Sequence, residues 1–273
     1  MNGPDVLNST VSPRVVQRDG GTTLPSTAGP DGEADARTTA GSVSTKLDHV
    51  VVLVLVDVAS GSWVWGWSRI VFGRWLLTDV QGLCFAKALG SGQGGGFGLK
   101  PSATRQGLFM LFGSEAAADR FLSDSPVLGA YRRHAREICT VKLRAVSSRG
   151  SWGGEGIDVT AEPEPGGPVA ALTRASIKPR RAWSFWRYSP ASEKSLERAA
   201  GCRLAVGLGE APVLRQATFS IWDSQAQMDA YARQGAHLQA IQAARREGYF
   251  SESMFVRFKI LQLRGSFQGR LHG

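Results

Sequence analysis

QGLFMLFGSEAAADRFLSDSPVLGAYRRHAREICTVKLRAVSSRGSW (106–152) and RQATFSIWDSQAQMDAYARQGAHLQAIQAARREGYFSESMFVRFKILQLRGSF (215–267) match each other in order. In each, a strand pattern ends at a helix-capping serine, Ser114 or Ser224. An aromatic follows at the seventh residue (Phe121, Tyr231) and a leucine at the fourteenth (Leu128, Leu238). Each copy then runs into a second strand pattern and closes on Arg-Gly-Ser-aromatic. Self-similarity of this kind has to be read before any single motif, because it governs the whole fold.

Upstream of each copy lies a further strand, helix and strand. In the first half these are VVVLVLVDV (50–58), WVWGWSRIVFGRWLL (63–77) and LCFAKALG (83–90). In the second they are VAALTRASI (169–177), RRAWSFWRY onward to SEKSLERAA (180–200) and RLAVGLG (203–209). Both halves therefore read β-α-β-β-α-β. The predicted fold is α+β, with two tandem ferredoxin-like units whose sheets pack against each other as a barrel-like pseudo-dimer. The units span 48–150 and 169–267, joined by a flexible linker, SWGGEGIDVTAEPEPGGP (151–168), and followed by a C-terminal tail, 268–273. Residues 1–47 hold no aromatic residue and no apolar periodicity, and read as a disordered tail.

Composition narrows the function classes. The 273 residues carry a net charge of +9, yet only 20% are charged and the basic residues are scattered outside KPRRAWSFWR (178–187). The third strand of each half lacks the basic, glycine and aromatic signature of an RNA-binding sheet, so no nucleic-acid partner is expected. LGSGQGGGFGLKP (89–101) leads into a strand, without the helix and the Gly-Lys-Ser/Thr that a phosphate loop needs. Cys84, Cys139 and Cys202 fit neither a disulfide framework nor a zinc pattern, although a thiolate ligand among them stays open. No signal peptide or spanning segment is evident, which points to a cytoplasmic location. Four of the eight tryptophans fall within residues 63–75, together with Arg69 and Arg74. Such a helix suits either a membrane interface or the cover of a sheet, so peripheral contact with the inner membrane surface remains an option.

Candidate ligands are few. Of four histidines, His237 sits beside an apolar helical stripe, with Ala240, Ile241 and Ala244 on its face. No histidine pair or HExxH is present, which argues against zinc and non-haem iron. Haem brings its own four equatorial nitrogens, so one protein ligand suffices and haem stays open. Arg174 and Lys178 could pair with carboxylates of a bound group, with nearby aromatics lining an apolar pocket.

KALGSGQGGGF (87–97), AALTRASI (170–177), QATFSIWDS (216–224) and HLQAIQAARREGYFSESMFVRF (237–258) resemble the spheroidene monooxygenase family of carotenoid biosynthesis, collinearly over most of residues 83–267. The resemblance implies an oxygenase that sets a keto group on an acyclic carotenoid, using O2 and electrons from a ferredoxin-type donor. Two hydroxylations at one carbon followed by loss of water give the ketone. It further implies haem, on a fold similar to the haem-binding dimeric α+β barrels in which a helix histidine ligates the iron. His237 then becomes the metal ligand, Arg174 and Lys178 the partners of the haem propionates, and Trp183, Trp186 and Trp222 the walls of the substrate channel. The alternatives are a noncatalytic haem or carotenoid carrier, or another monooxygenase or haem enzyme on the same barrel.

Overall fold

Val50–Val58 (β1) is buried along its whole length, and the two faces of this strand go to different cores. Val51, Leu53 and Leu55 enter one cluster, while Val50, Val52, Val54, Val56 and Val58 enter another. A strand alternates its side chains with a period of two, so an unbroken apolar run belongs to a sheet covered on both sides. The computed structural model describes residues 48–92, 101–186, 195–196, 198–211 and 214–272, and for Arg74, Ala211, Ala236, His237, Ala240, Ile241 and Arg245 the backbone alone. The N-terminal tail and the glycine run 93–100 lie outside the described residues.

The first half consists of β1, α1 (Trp63–Leu76), β2 (Leu83–Gly92), β3 (Pro101–Phe112), α2 (Glu115–Asp124), α3 (Pro126–His134) and β4 (Ala135–Gly150). The second consists of β5 (Val169–Ile177), α4 (Ala182–Trp186), β6 (Cys202–Ala211), β7 (Arg215–Trp222), α5 (Gln225–Ala232), α6 (Gly235–Glu247) and β8 (Phe250–Phe267). Ser114 and Ser224 cap α2 and α5 by accepting from the amides of Ala117 and Gln227. Where the periodicity suggested one helix per copy, the first copy breaks at Ser125, which caps α3 with Pro126 in its first turn.

Strand order runs β4-β1-β3-β2 in the first half and β8-β5-β7-β6 in the second. The two sheets do not simply stack, as expected from sequence; they join at both edges. A short ladder links Gly90 to Gly209 and Ser91 to Leu208, and a long one runs from Cys139 opposite Gly265 to Gly150 opposite Met254. The result is a closed eight-stranded antiparallel barrel, with the first cluster as its interior and the helices outside. Closure removes the exposed sheet edges.

The repeated Arg-Gly-Ser-aromatic motif acquires a physical meaning at the long seam. Gly150 has φ +87, and a Cβ on it would lie 2.0 Å from the carbonyl oxygen of Ser253. Gly265 has φ +108, and its Cβ would lie 2.1 Å from the carbonyl oxygen of Ile138. Only glycine permits this backbone shape and this approach. The aromatics that follow, Trp152 and Phe267, are both buried in the barrel core.

Residues 151–168, expected as a flexible linker, are bound to the barrel. Trp152 and Ile157 belong to its core, and the amides of Thr160 and Ala161 donate to the carbonyl of Ala145. At this mouth Arg174, on the inward face of β5 with Ala170 and Leu172, is buried and paired with Glu252 and Glu210. The indole N–H of Trp152 donates to Glu210, and the Arg174 guanidinium lies 5.7 Å from the Trp152 ring centre. Glu252 also accepts from the Ser151 hydroxyl at 2.9 Å and the Gly154 amide at 3.0 Å. Burial works to raise its pKa, but the Gly154 amide, Ser151 and Arg174 outweigh it and hold the carboxyl at about 2. The expected C-terminal tail also differs, because Gln268 (φ +57) and Gly269 (φ +71) make a two-residue turn. Positive φ at both centres suits a tight hairpin, and Arg270–His272 (β9) pairs back on β8.

Gly150→Ala and Gly265→Ala should each cost about 2–4 kcal/mol in urea unfolding, whereas strain alone should cost about 1 at Gly154→Ala; Gly154 has φ +86 with open space around its Cβ position. The Glu252 pairing stabilises the fold above the ordinary carboxyl pKa of 4.5 and is lost as pH falls towards about 2. Glu252→Gln should therefore flatten the stability–pH curve over that window, and should lower stability at neutral pH by about 1–3 kcal/mol.

Candidate functional site

The two halves pin the helix that follows their third strand in the same way. Lys142 on β4 pairs with Asp119 of α2 at 2.7 Å, and Arg257 on β8 pairs with Asp229 of α5 at the same distance. Asp119 and Asp229 hold the same position in the repeat, as do Lys142 and Arg257 against Val52 and Ala171. What differs is the sheet face beneath the next helix, α3 or α6.

In the first half the outward row across the sheet is Ala88, Leu108, Val54 and Thr140. In the second half the same row is Gly207, Thr218, Thr173 and Phe255. One row along, Ala86, Met110 and Val52 correspond to Ala205, Ser220 and Ala171. The large apolar side chains of the first layer have thus been cut back to glycine, alanine, serine and threonine. Val54 and Leu108 are sealed off from solvent, whereas Thr173 is exposed and Phe255 is 38% exposed. The helices follow suit. α3 packs on β1 and β4 and buries Leu128, whereas α6 packs chiefly on α5 and leaves the counterpart Leu238 half-buried. The sheet face beneath α6 is thus built from smaller side chains than the one beneath α3.

α6 begins at Gly235 (φ +56) and ends on Gly248 in the left-handed region (φ +59), so His237 lies in its first turn. The side chain of His237 lies outside the described residues. Trp222 is buried on the outer face, its ring 5.3 Å from that of Tyr231 and its N–H donating to Ser220 at 2.9 Å. Trp186 is half-buried against Phe185, which also meets Tyr249 and Phe250 at 6.0 and 5.8 Å. Lys178 is exposed, with its backbone amide donating to Tyr249 and its Nζ beside Gly248.

Two of the expected site residues do not join this layer. Trp183 is 84% exposed and walls nothing. Arg174 points the other way, into the barrel mouth, because it is an even number of residues from Leu172; its guanidinium is already committed to Glu252 and Glu210. Of the three cysteines Cys84 is exposed, Cys202 half-buried and Cys139 buried, and burial pushes the thiol of Cys139 up to about 12 and that of Cys202 up to about 11. Among the described residues no cluster of three or more His, Cys, Asp or Glu side chains is placed to hold a metal ion. Sequence reasoning missed Ala171, Thr173, Thr218 and Ser220. Their signal was present in the repeat, as small residues aligned with Val52, Val54, Leu108 and Met110.

The first half holds a cavity of about 210 Å³ beneath α1 and α3, lined by residues that include Trp65, Arg69, Leu108, Val127, Ala130 and Tyr131. Val127 is the repeat counterpart of His237. The Tyr131 hydroxyl donates to Gln106, and burial raises its pKa. This lining offers no metal ligand comparable to a histidine.

No family model matches the chain. Individual relatives do. Spheroidene monooxygenase of Rubrivivax gelatinosus is 57% identical over 237 residues, covering 87% of this chain and 90% of the relative. Spheroidene monooxygenase of Rhodobacter capsulatus is 39% identical over 210 residues, covering 76% and 87%. Among solved structures, an aldoxime dehydratase superposes with a TM-score of 0.54 at 11% identity, covering 79% of this chain and 82% of that one, a likeness of fold alone. With identities and coverage this high in the first two, the chain belongs to the spheroidene monooxygenase family and is an oxidoreductase.

Proposed function

We propose that this protein is a haem-dependent monooxygenase that introduces a keto group, through hydroxylation, on an acyclic carotenoid such as spheroidene, with O2 and electrons from a ferredoxin-type donor. The observation that carries the reading is the second half's outer sheet face, where Ala171, Thr173, Thr218 and Ser220 stand at the repeat positions of Val52, Val54, Leu108 and Met110. Family membership supplies the reaction class. The strand order of each half supports tandem ferredoxin-like units at 48–150 and 169–267, closed into one barrel. A cytoplasmic location fits this reading, and among the described residues no helix is long and apolar enough to cross a membrane.

A haem in that layer would be held by residues of this chain. His237 would supply the one ligand the cofactor needs, and Lys178, exposed at the far end of α6, would pair with a propionate. Arg174 is withdrawn from that role by its own ion pairs. Haem would supply the activation of O2 for hydroxylation of a CH₂ beside a polyene. The chain does the rest. Its small floor residues admit a flat ring, Trp222 and Tyr231 close the inner end, and Phe185, Trp186 and Tyr249 give an apolar wall that can orient a hydrocarbon chain. The hydroxyls of Thr173 and Thr218 lie opposite each other on the floor, able to hold a water or donate to a bound oxygen atom.

Protein expressed with haem precursor should show a Soret band that His237→Ala lowers in occupancy by about tenfold or more. Thr173→Trp, which refills the floor, should lose the band while keeping the far-UV spectrum. With spheroidene, O2 and a reducing system, wild type should give a ketone whose oxygen comes from O2. Absence of haem from the wild type would overturn the reading, and haem without oxygenated product would mark a carrier.

A further inference from the structure

Helix α1 is built the wrong way round for a helix that merely covers a sheet. Its sheet-facing positions include Gly66 and Gly73, where a Cβ would lie 2.8 Å from Gln106 Nε2 and 2.6 Å from Ala88 Cβ respectively. The glycines let the helix lie close on β2 and β3. Its outward stripe, at intervals of four, is Trp63, Trp67, Val71 and Trp75, with Val64, Phe72 and Leu76 beside it. Trp63, Val71 and Trp75 are 52%, 60% and 65% exposed. A surface helix normally turns its apolar stripe inward, and a contiguous exposed apolar patch marks an interaction site.

We propose that α1 docks the protein on the surface of a lipid bilayer carrying anionic headgroups. Tryptophan is the residue suited to the boundary between headgroups and acyl chains, because its ring is apolar and its N–H can still reach water. Charge agrees in sign, because α1 contains no carboxylate and the chain as a whole carries +9. Trp65 stacks on His134 at 4.2 Å, which brings the last turn of α3, with Arg132 and Arg133, beside α1. Basic residues around an interfacial helix add attraction to anionic lipid. A second copy of this chain is the poorer occupant. A 14-residue helix offers a strip about 21 Å long and 10 Å wide, far below the roughly 800 Å² per partner of a stable interface, and two such faces would oppose like charges. A bilayer needs no such area from one rigid patch. Leu76 belongs both to the outward face and to the lining of the 210 Å³ cavity, so the cavity meets the docking face at this residue. The inference stands on α1 itself and needs neither haem nor substrate.

The test is co-sedimentation of the full chain with phosphatidylcholine vesicles, with and without about one third phosphatidylglycerol, beside size-exclusion chromatography. Wild type should pellet with the anionic vesicles and be released by salt. The triple variant W63S/W67S/W75S should bind at least about tenfold more weakly. Val71→Glu serves as a second variant should the triple one misfold, and Leu271→Ser, exposed far from α1 in sequence, should bind as wild type does. Wild type that stays in the supernatant, or α1 variants that pellet like wild type, would overturn the proposal. So would a wild-type dimer that the variants convert to monomer without any vesicle binding, which would assign the face to a second copy.

Discussion

The long antiparallel seam between β4 and β8 is the interaction on which the rest of this structure depends. It closes the barrel, and it does so through two glycines, Gly150 and Gly265, each pressed against a carbonyl of the opposite strand in a conformation that other residues rarely adopt. Closure decides which side of every strand is inside. It puts Trp152 and Phe267 into the barrel core, leaves the helices on the outer faces, and gives β1 two apolar surroundings instead of one.

Within that frame the two halves share their topology and divide their tasks. Both anchor the helix after the third strand by an ion pair at the same repeat position, Asp119 with Lys142 and Asp229 with Arg257. The first half sets valine, leucine and methionine on its outer sheet face, whereas the second sets alanine, serine and threonine at the same positions. The first half carries its own departure in α1, where glycine faces the sheet and tryptophan faces outward.

Sequence carried the repeat, the strand runs and the serine caps because these are local signals. A capping serine acts on an amide three residues away, and strand alternation needs only the next side chain. Arg174 was misread although its parity with Leu172 was visible, because charge suggested an outward ligand contact and only Glu210 and Glu252, distant in sequence, reveal an inward one. Residues 151–168 looked like a slack tether on composition, and the anchors that hold them, Glu210, Glu252 and Ala145, come from three different strands. Trp183 shared a motif with Trp186, yet one is in solvent and the other is half-buried.

By itself, then, the sequence determined the α+β class, the duplication, the family and the helix on which His237 stands, since periodicity, caps and similarity are properties of the chain read in order. Only the tertiary structure decided that the sheets join at their edges and that Arg174 turns into the barrel mouth. Those outcomes depend on which strand lies beside which, and so on contacts between residues far apart in the chain, such as Arg174 with Glu252 and Cys139 with Gly265.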